Sequence, residues 1–498
     1  MTTPERLRNA AVKQAAQSSD EKPALGKFGC YVGGEWINTG NAVEVRSPFD
    51  ESLVAVVHRA GPKEIETAIT KATAAFQTTR RLPVWKRAEI LEKISAGIAA
   101  LQEEFAKIIA LEAGKPIRTA RAEVDRAIFT FKVAAEETKR IYGEVVRLDW
   151  LPGTEGREAQ VRRVPLGPVV GISPFNFPLN LVAHKVAPAL AAGNPIILRP
   201  ASQTPVSALK LAEIISASGW PADAFSVVPS STKDAAPLVE DDRIRLLTFT
   251  GSPAVGWSLK TQAGRKRVTL ELGGNAGVIV HSDADVAYAA ERVAWGGFSF
   301  AGQSCISVQR VYVHADVYDS FVKQFVQRVK ALKVGDPLEE ATDVGPLIDP
   351  GAAERVEIWV TEAQEEGARI LTGGSRTGNL WHPTVMENVE PTMRVSCQEV
   401  FAPLVVLYRY MDVKEAIAAV DDSDFGLQAG LFTNNLEIVR QAFDDIEVGG
   451  LMVNDVSTFR VDHMPYGGVK YSGFGREGLR YAIDEMTELK LLTYNYRP

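Results

Sequence analysis

Apolar residues recur at spacings of three and four from Pro62 to about Tyr142, as in Ile90, Leu91, Ile94, Ile98 and Leu101, with charged residues between them. That period predicts amphipathic helices over most of the stretch. Between about Gly143 and Pro165 the pattern alternates instead, in 144–148 and 159–164 around Pro152-Gly153. A hairpin or protruding arm is expected there, of the kind that often pairs with another subunit. Apolar runs at Val169–Ile172, 195–199, 226–228, Leu246–Thr250 and 268–272 then alternate with helical patterns, which predicts βαβ units and a parallel sheet. A further run, Gly277–Val280, leads through helix to Arg310–His314 and on to strands and turns from Ile370 to Val453, a second α/β unit. No segment repeats with the period of a solenoid or propeller.

At 498 residues the chain suits about three domains and a large buried core. Apolar residues make up 46% and charged residues 23%, close to soluble globular averages, which sets aside wholesale disorder. A net charge of −7 offers no overall field for polyanions, so nucleic acid is not an expected partner. Cys30, Cys305 and Cys397 are far apart, odd in number and without CxxC spacing or nearby histidine pairs. Neither a disulfide framework nor a metal site is expected. The apolar stretch 181–198 is broken by His184, Lys185 and Asn194, so no membrane span is expected. Residues 1–22 are polar, carry Glu5, Asp20 and Glu21, and read as the flexible tail of a cytoplasmic enzyme.

One formal dinucleotide fingerprint occurs, Gly473-Phe-Gly475-Arg-Glu-Gly478, but no clear strand leads into it and no βαβ unit fits after it. Gly251-Ser252-Pro-Ala-Val-Gly256 is the better phosphate-binding turn, because it follows the strand Leu246–Thr250 and opens a helix with free amides. Alone, it also fits an ordinary strand-to-helix turn. Cys305, in Phe300-Ala-Gly-Gln-Ser304-Cys305, has small neighbours that leave room for a substrate. A lone cysteine is otherwise a small buried hydrophobe, the reading kept for Cys30 and Cys397. Glu271 closes an apolar strand, where a carboxylate is costly to bury without purpose or partner; it is a candidate base, or half of a structural ion pair or helix cap. Asn176, between Pro174 and Pro178 at the C-terminal end of Val169–Ile172, can donate to an oxyanion or simply tolerate a tight turn.

In order and over nearly the whole chain, Pro174-Phe-Asn-Phe-Pro178, Phe249-Thr-Gly-Ser252, Glu271-Leu-Gly-Gly274, Gly302-Gln-Ser-Cys305, Glu399-Val-Phe-Ala-Pro403 and Pro465-Tyr-Gly-Gly-Val-Lys470 resemble the aldehyde dehydrogenase superfamily. The resemblance implies an α/β fold with a Rossmann-like nucleotide-binding domain (23–142 and 163–277), an α/β catalytic domain (278–477) and a small bridging β-sheet (143–162 and 478–498) that joins a homodimer or homotetramer. It makes Cys305 the nucleophile, assigns the oxyanion to the Asn176 side chain and the Cys305 amide, and makes Glu271 the base that hydrolyses a thioester. Lys185 and Glu488 match a proton-relay lysine and glutamate, or are plain structural charges. Contacts to NAD(P) are implied for Ser173, Pro174, Phe175, Gly251, Ser252, Gly256, Leu272, Gly273, Glu399 and Phe401. Members that pass the acyl group to coenzyme A commonly lack the glutamate present here as Glu271, and an inert scaffold has no need of Asn176, Glu271 and Cys305 together.

Two departures refine this. Where the family usually has a lysine, often with a glutamate three residues on, this chain reads Arg199-Pro-Ala201-Ser202. Arginine can pair with phosphate bidentately and Ser202 removes a repelling carboxylate, so NADP is expected over NAD. His184 and Phe300 replace two arginines that succinate semialdehyde relatives commonly use, yet Arg460 on the tunnel loop and Arg121 or Arg126 on the bordering helix can clamp a carboxylate, phosphate or sulfonate. The same arginines can instead be solvated or paired with Asp125 and Asp462. The loop and the Arg-Pro-Ala-Ser segment resemble the moss-type NADP-linked semialdehyde dehydrogenases, so a short acidic semialdehyde such as succinate semialdehyde is the expected substrate, contacted by Phe177, Phe300, Ser304, Arg460 and Tyr466. An aromatic tunnel of Phe177, Phe300, Phe459 and Tyr466 for an apolar aldehyde is the alternative.

Overall fold

The structure is a computed structural model that describes residues 22–496; the tail expected over 1–22 lies, Lys22 apart, outside the described residues. Helices Pro62–Thr79, Val84–Ala100, Gln102–Ala113 and Ile117–Thr138 occupy the stretch of helical periodicity. In the last of these, Ile117, Ala120, Val124, Ala127, Phe131 and Ala134 form the buried stripe that the three-and-four spacing predicts.

The first sheet has eight strands. Its centre is five parallel strands in the spatial order Arg267–Glu271, Leu246–Thr250, Val169–Ile172, Ile196–Arg199, Phe225–Val227. The chain therefore winds one way from Val169–Ile172 to Phe225–Val227 and then returns to the other side. The loops after Val169–Ile172 and Leu246–Thr250 diverge and leave a crevice at the strands' C-terminal ends, the usual ligand position in an open α/β sheet. One face is covered by the long helices and by Asn180–Ala192, whose residues are all buried; the other packs against Pro62–Thr79. The helix Asn180–Ala192 is buried on every side, His184 and Lys185 included, which makes it a core helix, and among the described residues no helix is long and apolar enough to cross a membrane.

The second sheet has seven strands, parallel except for the edge strand Arg369–Thr372, with its own core around Phe298, Phe321, Phe325 and Trp381. The arm forms a third, antiparallel sheet in which Arg157–Pro165 lies between Glu144–Arg147 and Thr487–Asn495.

Two boundaries differ from those expected. Residues 473–474 leave the second unit and pair antiparallel with Arg267–Glu271, because Glu271 and Leu270 offer the free edge of the first sheet. The helix Leu479–Glu485 does not belong to the arm: Leu479, Ile483 and Met486 are buried in the first core, so the arm's last strand begins at Thr487.

Phe321 is fully buried with its ring centroid 5.5 Å from that of Phe325. Phe321→Ala is expected to cost about 3–5 kcal/mol, read as a lower denaturation midpoint at unchanged m-value.

Candidate active site

The crevice of the first sheet receives its reactive groups from three directions. From the sheet itself, the loop after Val169–Ile172 carries Asn176, whose Nδ2 donates to the Gln303 carbonyl at 2.9 Å while its Oδ1 is buried without a partner. Next along the chain, the amides of Leu179 and Asn180 donate to one Glu123 oxygen at 3.0 and 3.1 Å, which anchors the start of the following helix and so fixes the loop. From the second unit comes Cys305. The helix Val286–Phe298 ends in a turn where Phe300, Ala301 and Gly302 take φ of 49°, 53° and 67° in succession. Left-handed backbone at two side-chain-bearing residues is strained, and the surrounding burial holds it. That turn sets Phe300 edge-on to Phe177 and brings Cys305 into a cavity of about 260 Å³ lined also by Asn176, Glu271, Glu399, Phe401, Arg460 and Tyr466. From the returning C-terminal segment come Tyr466 and Glu477, their backbones bridged in both directions.

Burial governs the electrostatics. Glu271 is 2% exposed and neither carboxylate oxygen has a hydrogen bond. Burial, and then the negative Glu477, push its pKa well above the ordinary carboxylate range, against the pull of Arg460, Lys185 and Arg476. Glu477 is also buried, but Lys185 at 3.3 Å and Arg460 at 3.0 Å outweigh the burial and hold it down to about 2. Burial pushes the Cys305 thiol up to about 12, with the Tyr466 hydrogen bond and the Arg460 charge opposing.

Glu488 is not in this cluster. It sits half exposed and paired with Arg267 on the arm strand, which is exposed along its length after Thr487. The carboxylate beside Lys185 is Glu477, which sequence reading missed. It lay inside the glycine-rich run set aside as a poor dinucleotide fingerprint, and its signal was the lone acid in that run. Arg121 likewise points away, bound to Glu103 and Glu340 on the surface, and lines neither cavity.

Most of the residues expected to contact a dinucleotide lie in the same crevice. Pro174, Phe175, Gly251, Ser252, Leu272, Gly273, Glu399 and Phe401 line the cavity with Phe175 edge-on to Phe401 at 5.9 Å. A Cβ on Gly273 would overlap the Glu399 carboxylate and one on Gly256 would overlap the Leu272 side chain, so a larger residue at either position would displace those groups. Ser173 Oγ is buried with no partner, and burial pushes Glu399 up to about 7 against the Gly274 amide and Arg355. These residues fit a bound nicotinamide dinucleotide. Farther out, Arg199 donates to the Ser230 carbonyl at 3.1 Å and the Ala60 amide to that of Pro229 at 2.7 Å, which brings Arg59 to the same segment. Burial, then the Arg59 charge, lower the Arg199 pKa, and Arg199 Nε and Ser230 Oγ are buried unpartnered among the described residues. Ala201 and Ser202 are half-buried on the adjoining turn and line neither cavity.

A second cavity of about 500 Å³ opens toward solvent, and Arg126, Phe177, Ser304, Ile306 and Arg460 line both. They form the waist between mouth and thiol. Arg126 is paired with Asp462 at 2.7 Å, and Asp462 also bonds His184 at 2.8 Å, so the buried histidine is part of the same cluster. Arg460 keeps a buried, unpartnered Nε. Behind the waist, Lys115 is buried against Glu123 with its ammonium 3.6 Å from the Phe177 ring centroid and 4.3 Å from that of Phe300.

A parallel sheet with a thiol, a buried carboxylate and an amide converging on a glycine-lined crevice is an arrangement able to support covalent thiol chemistry beside a nucleotide. The aldehyde dehydrogenase family model matches residues 36–492, and the chain belongs to that family. It is 47% identical over 470 residues to the 3-sulfolactaldehyde dehydrogenase of Priestia aryabhattai, which covers 94% of this chain and 98% of the relative. Among solved structures, aldehyde dehydrogenase 21 from Physcomitrella patens in complex with the reaction product succinate superposes with a TM-score of 0.94 at 44% identity, covering 96% of this chain and 99% of that one. Glyceraldehyde-3-phosphate dehydrogenase GapN from Methanocaldococcus jannaschii, complexed with NADP, gives 0.89 at 38% identity, covering 92% of this chain and 100% of that one. The chain is thus an oxidoreductase acting on aldehydes with a nicotinamide dinucleotide of the NAD(P) class.

The unpartnered Glu271 carboxyl gives a direct expectation. A protonated-carboxyl infrared band, assigned by its absence in Glu271→Gln, should persist above pH 5 and extend to higher pH in Lys185→Met, which removes an opposing positive charge. A band lost near pH 4 would show that solvent reaches the group.

Proposed function

We propose that this enzyme oxidises a short aldehyde bearing an anionic tail, a carboxylate or sulfonate such as that of succinate semialdehyde or sulfolactaldehyde, to the corresponding acid. The observation that carries the reading is the pair of guanidiniums, Arg126 and Arg460, at the waist next to Cys305. An aldehyde carbon at the sulfur leaves only a short chain before its tail meets them, and the free Nε of Arg460 is a donor already desolvated. The names of the sulfolactaldehyde relative and of the succinate-bound neighbour point the same way.

In this reading Cys305 adds to the carbonyl as thiolate, and the Asn176 amide with the Cys305 backbone N–H receives the charge that develops on oxygen. When bound, a nicotinamide supplies the hydride acceptor that a dehydrogenase needs. Glu271, once deprotonated, takes a proton from the water that hydrolyses the thioester. NADP is the preferred dinucleotide: Arg199 and Arg59 present two charges, with no ion pair to either among the described residues, and Ser202 stands where a carboxylate would repel a 2′-phosphate. The partner is a second copy of this chain, since the strand Thr487–Asn495 lies at the edge of its three-stranded sheet among the described residues and exposes Leu489, Leu491 and Leu492 at 55%, 59% and 48%.

The test crosses NADP and NAD with succinate semialdehyde and an uncharged aldehyde of equal length. NADP and the acidic aldehyde should win, and Arg460→Ala should cost the acidic aldehyde roughly ten- to a hundredfold more in kcat/KM than the uncharged one. Equal losses would favour a general aldehyde dehydrogenase; turnover surviving Cys305→Ser would overturn the mechanism. Light scattering should return two or four times 54.1 kDa, and a stable monomer at working concentration would contradict the assembly.

A further inference from the structure

The Cys305 sulfur has one hydrogen-bond partner among the described residues, the Tyr466 hydroxyl at 3.0 Å. The contact is short for sulfur, and the phenol is firmly held. Tyr466 is 3% exposed, packs on Ile306 and Leu427, and exchanges two backbone hydrogen bonds with Glu477 at 3.1 and 2.6 Å. Over its ring lies the Arg460 guanidinium, 3.5 Å from the centroid, pinned in turn by Glu477. A cation on the ring face draws electron density from the phenol and makes its O–H a stronger donor. A thiol is a weak donor and a thiolate has none, so once the sulfur is charged only Tyr466 can supply the hydrogen.

We propose that the Tyr466 hydroxyl is the donor that stabilises the Cys305 thiolate inside the site, with Arg460 stacked on its ring as the positioning residue. This goes beyond the substrate reading and rests only on Cys305 being the nucleophile. The thiol proton leaves through the open cavity to water, while Tyr466 keeps its own. As the sulfur lone pair forms the S–C bond, the carbonyl π pair moves to oxygen, and the hydrogen bond to sulfur weakens as its charge departs. The direction of the bond matters because burial drives the thiol towards its neutral form and a donor on sulfur opposes that drive. Arg460 then serves two ends of one site, facing the waist with its free Nε and holding with its plane the residue that activates the thiol.

The test is the pH profile of Cys305 alkylation by iodoacetamide, followed by peptide mass mapping without aldehyde or dinucleotide, so its outcome is separable from that of the substrate reading. Tyr466→Phe keeps the ring and removes only the hydroxyl. It should shift the alkylation midpoint upward by about one to two pH units, slow labelling at pH 8 roughly ten- to a hundredfold, and lower kcat/KM in parallel while NADP binding by fluorescence stays the same. Arg460→Lys, which keeps a cation for Glu477 but loses the planar stack, should shift the midpoint in the same direction by less, and it serves as the second variant if Tyr466→Phe misfolds. An unchanged midpoint in Tyr466→Phe, or faster labelling as expected if tyrosine were accepting the thiol proton, overturns the proposal.

Discussion

Two buried cations, Lys185 and Arg460, share one buried carboxylate, Glu477, and the chemistry of the site is arranged around that triad. Charges removed from water are costly, and only close opposite partners make the burial tolerable. Because both cations are committed to Glu477, little positive charge is left over for Glu271 a short distance away, and its carboxyl stays without a hydrogen-bonding partner. The same commitment orients Arg460 across the Tyr466 ring, and Tyr466 reaches the thiol. Removing either cation would therefore disturb the surroundings of the Glu271 carboxyl, and removing Arg460 those of the Cys305 thiol as well.

The two α/β units are joined at the reacting atoms. Asn176 of the first sheet holds the Gln303 carbonyl two residues from Cys305, and Glu399 of the second unit accepts the Gly274 amide just past the strand that ends in Glu271. These cross-unit bonds, of 2.9 and 3.0 Å, tie the thiol, amide and carboxylate segments together before any ligand arrives, the arrangement that preorganisation requires. Strain is concentrated where it serves the same end. The left-handed Phe300-Ala301-Gly302 turn stops a helix abruptly enough to leave Cys305 on the cavity wall.

The mouth shows how similar residues divide between structure and recognition. Arg118, Arg121 and Arg126 stand on one helix, yet Arg121 is tied to surface carboxylates, while Arg118 and Arg126 line the outer cavity with Asp343 and Asp462 as partners. Lys115 lies against the Phe177 and Phe300 rings, so the aromatic wall of the waist carries a cation behind it.

The sheet order's ingredients were legible in the chain itself, because strands, helices and turns are set by periodicity and by local backbone chemistry: Leu246–Thr250, Gly277–Val280 and Arg310–His314 stand where their apolar runs predicted. The motifs around Asn176, Glu271 and Cys305 marked groups that the fold brings to one cavity. Which acid stands beside Lys185 was not legible. Glu488 and Glu477 are both followed by apolar segments near the end of the chain, and only the return of residues 473–474 to the edge of the first sheet selects Glu477, 292 residues away from Lys185 in sequence. Likewise, Arg121 and Arg126 are neighbours on one helix, and their opposite fates follow from which carboxylates the rest of the fold brings near. Local sequence determined the elements and the reactive residue types; tertiary structure alone decided the ion pairs, because Coulomb and hydrogen-bond energies depend on separations in space that chain spacing does not set.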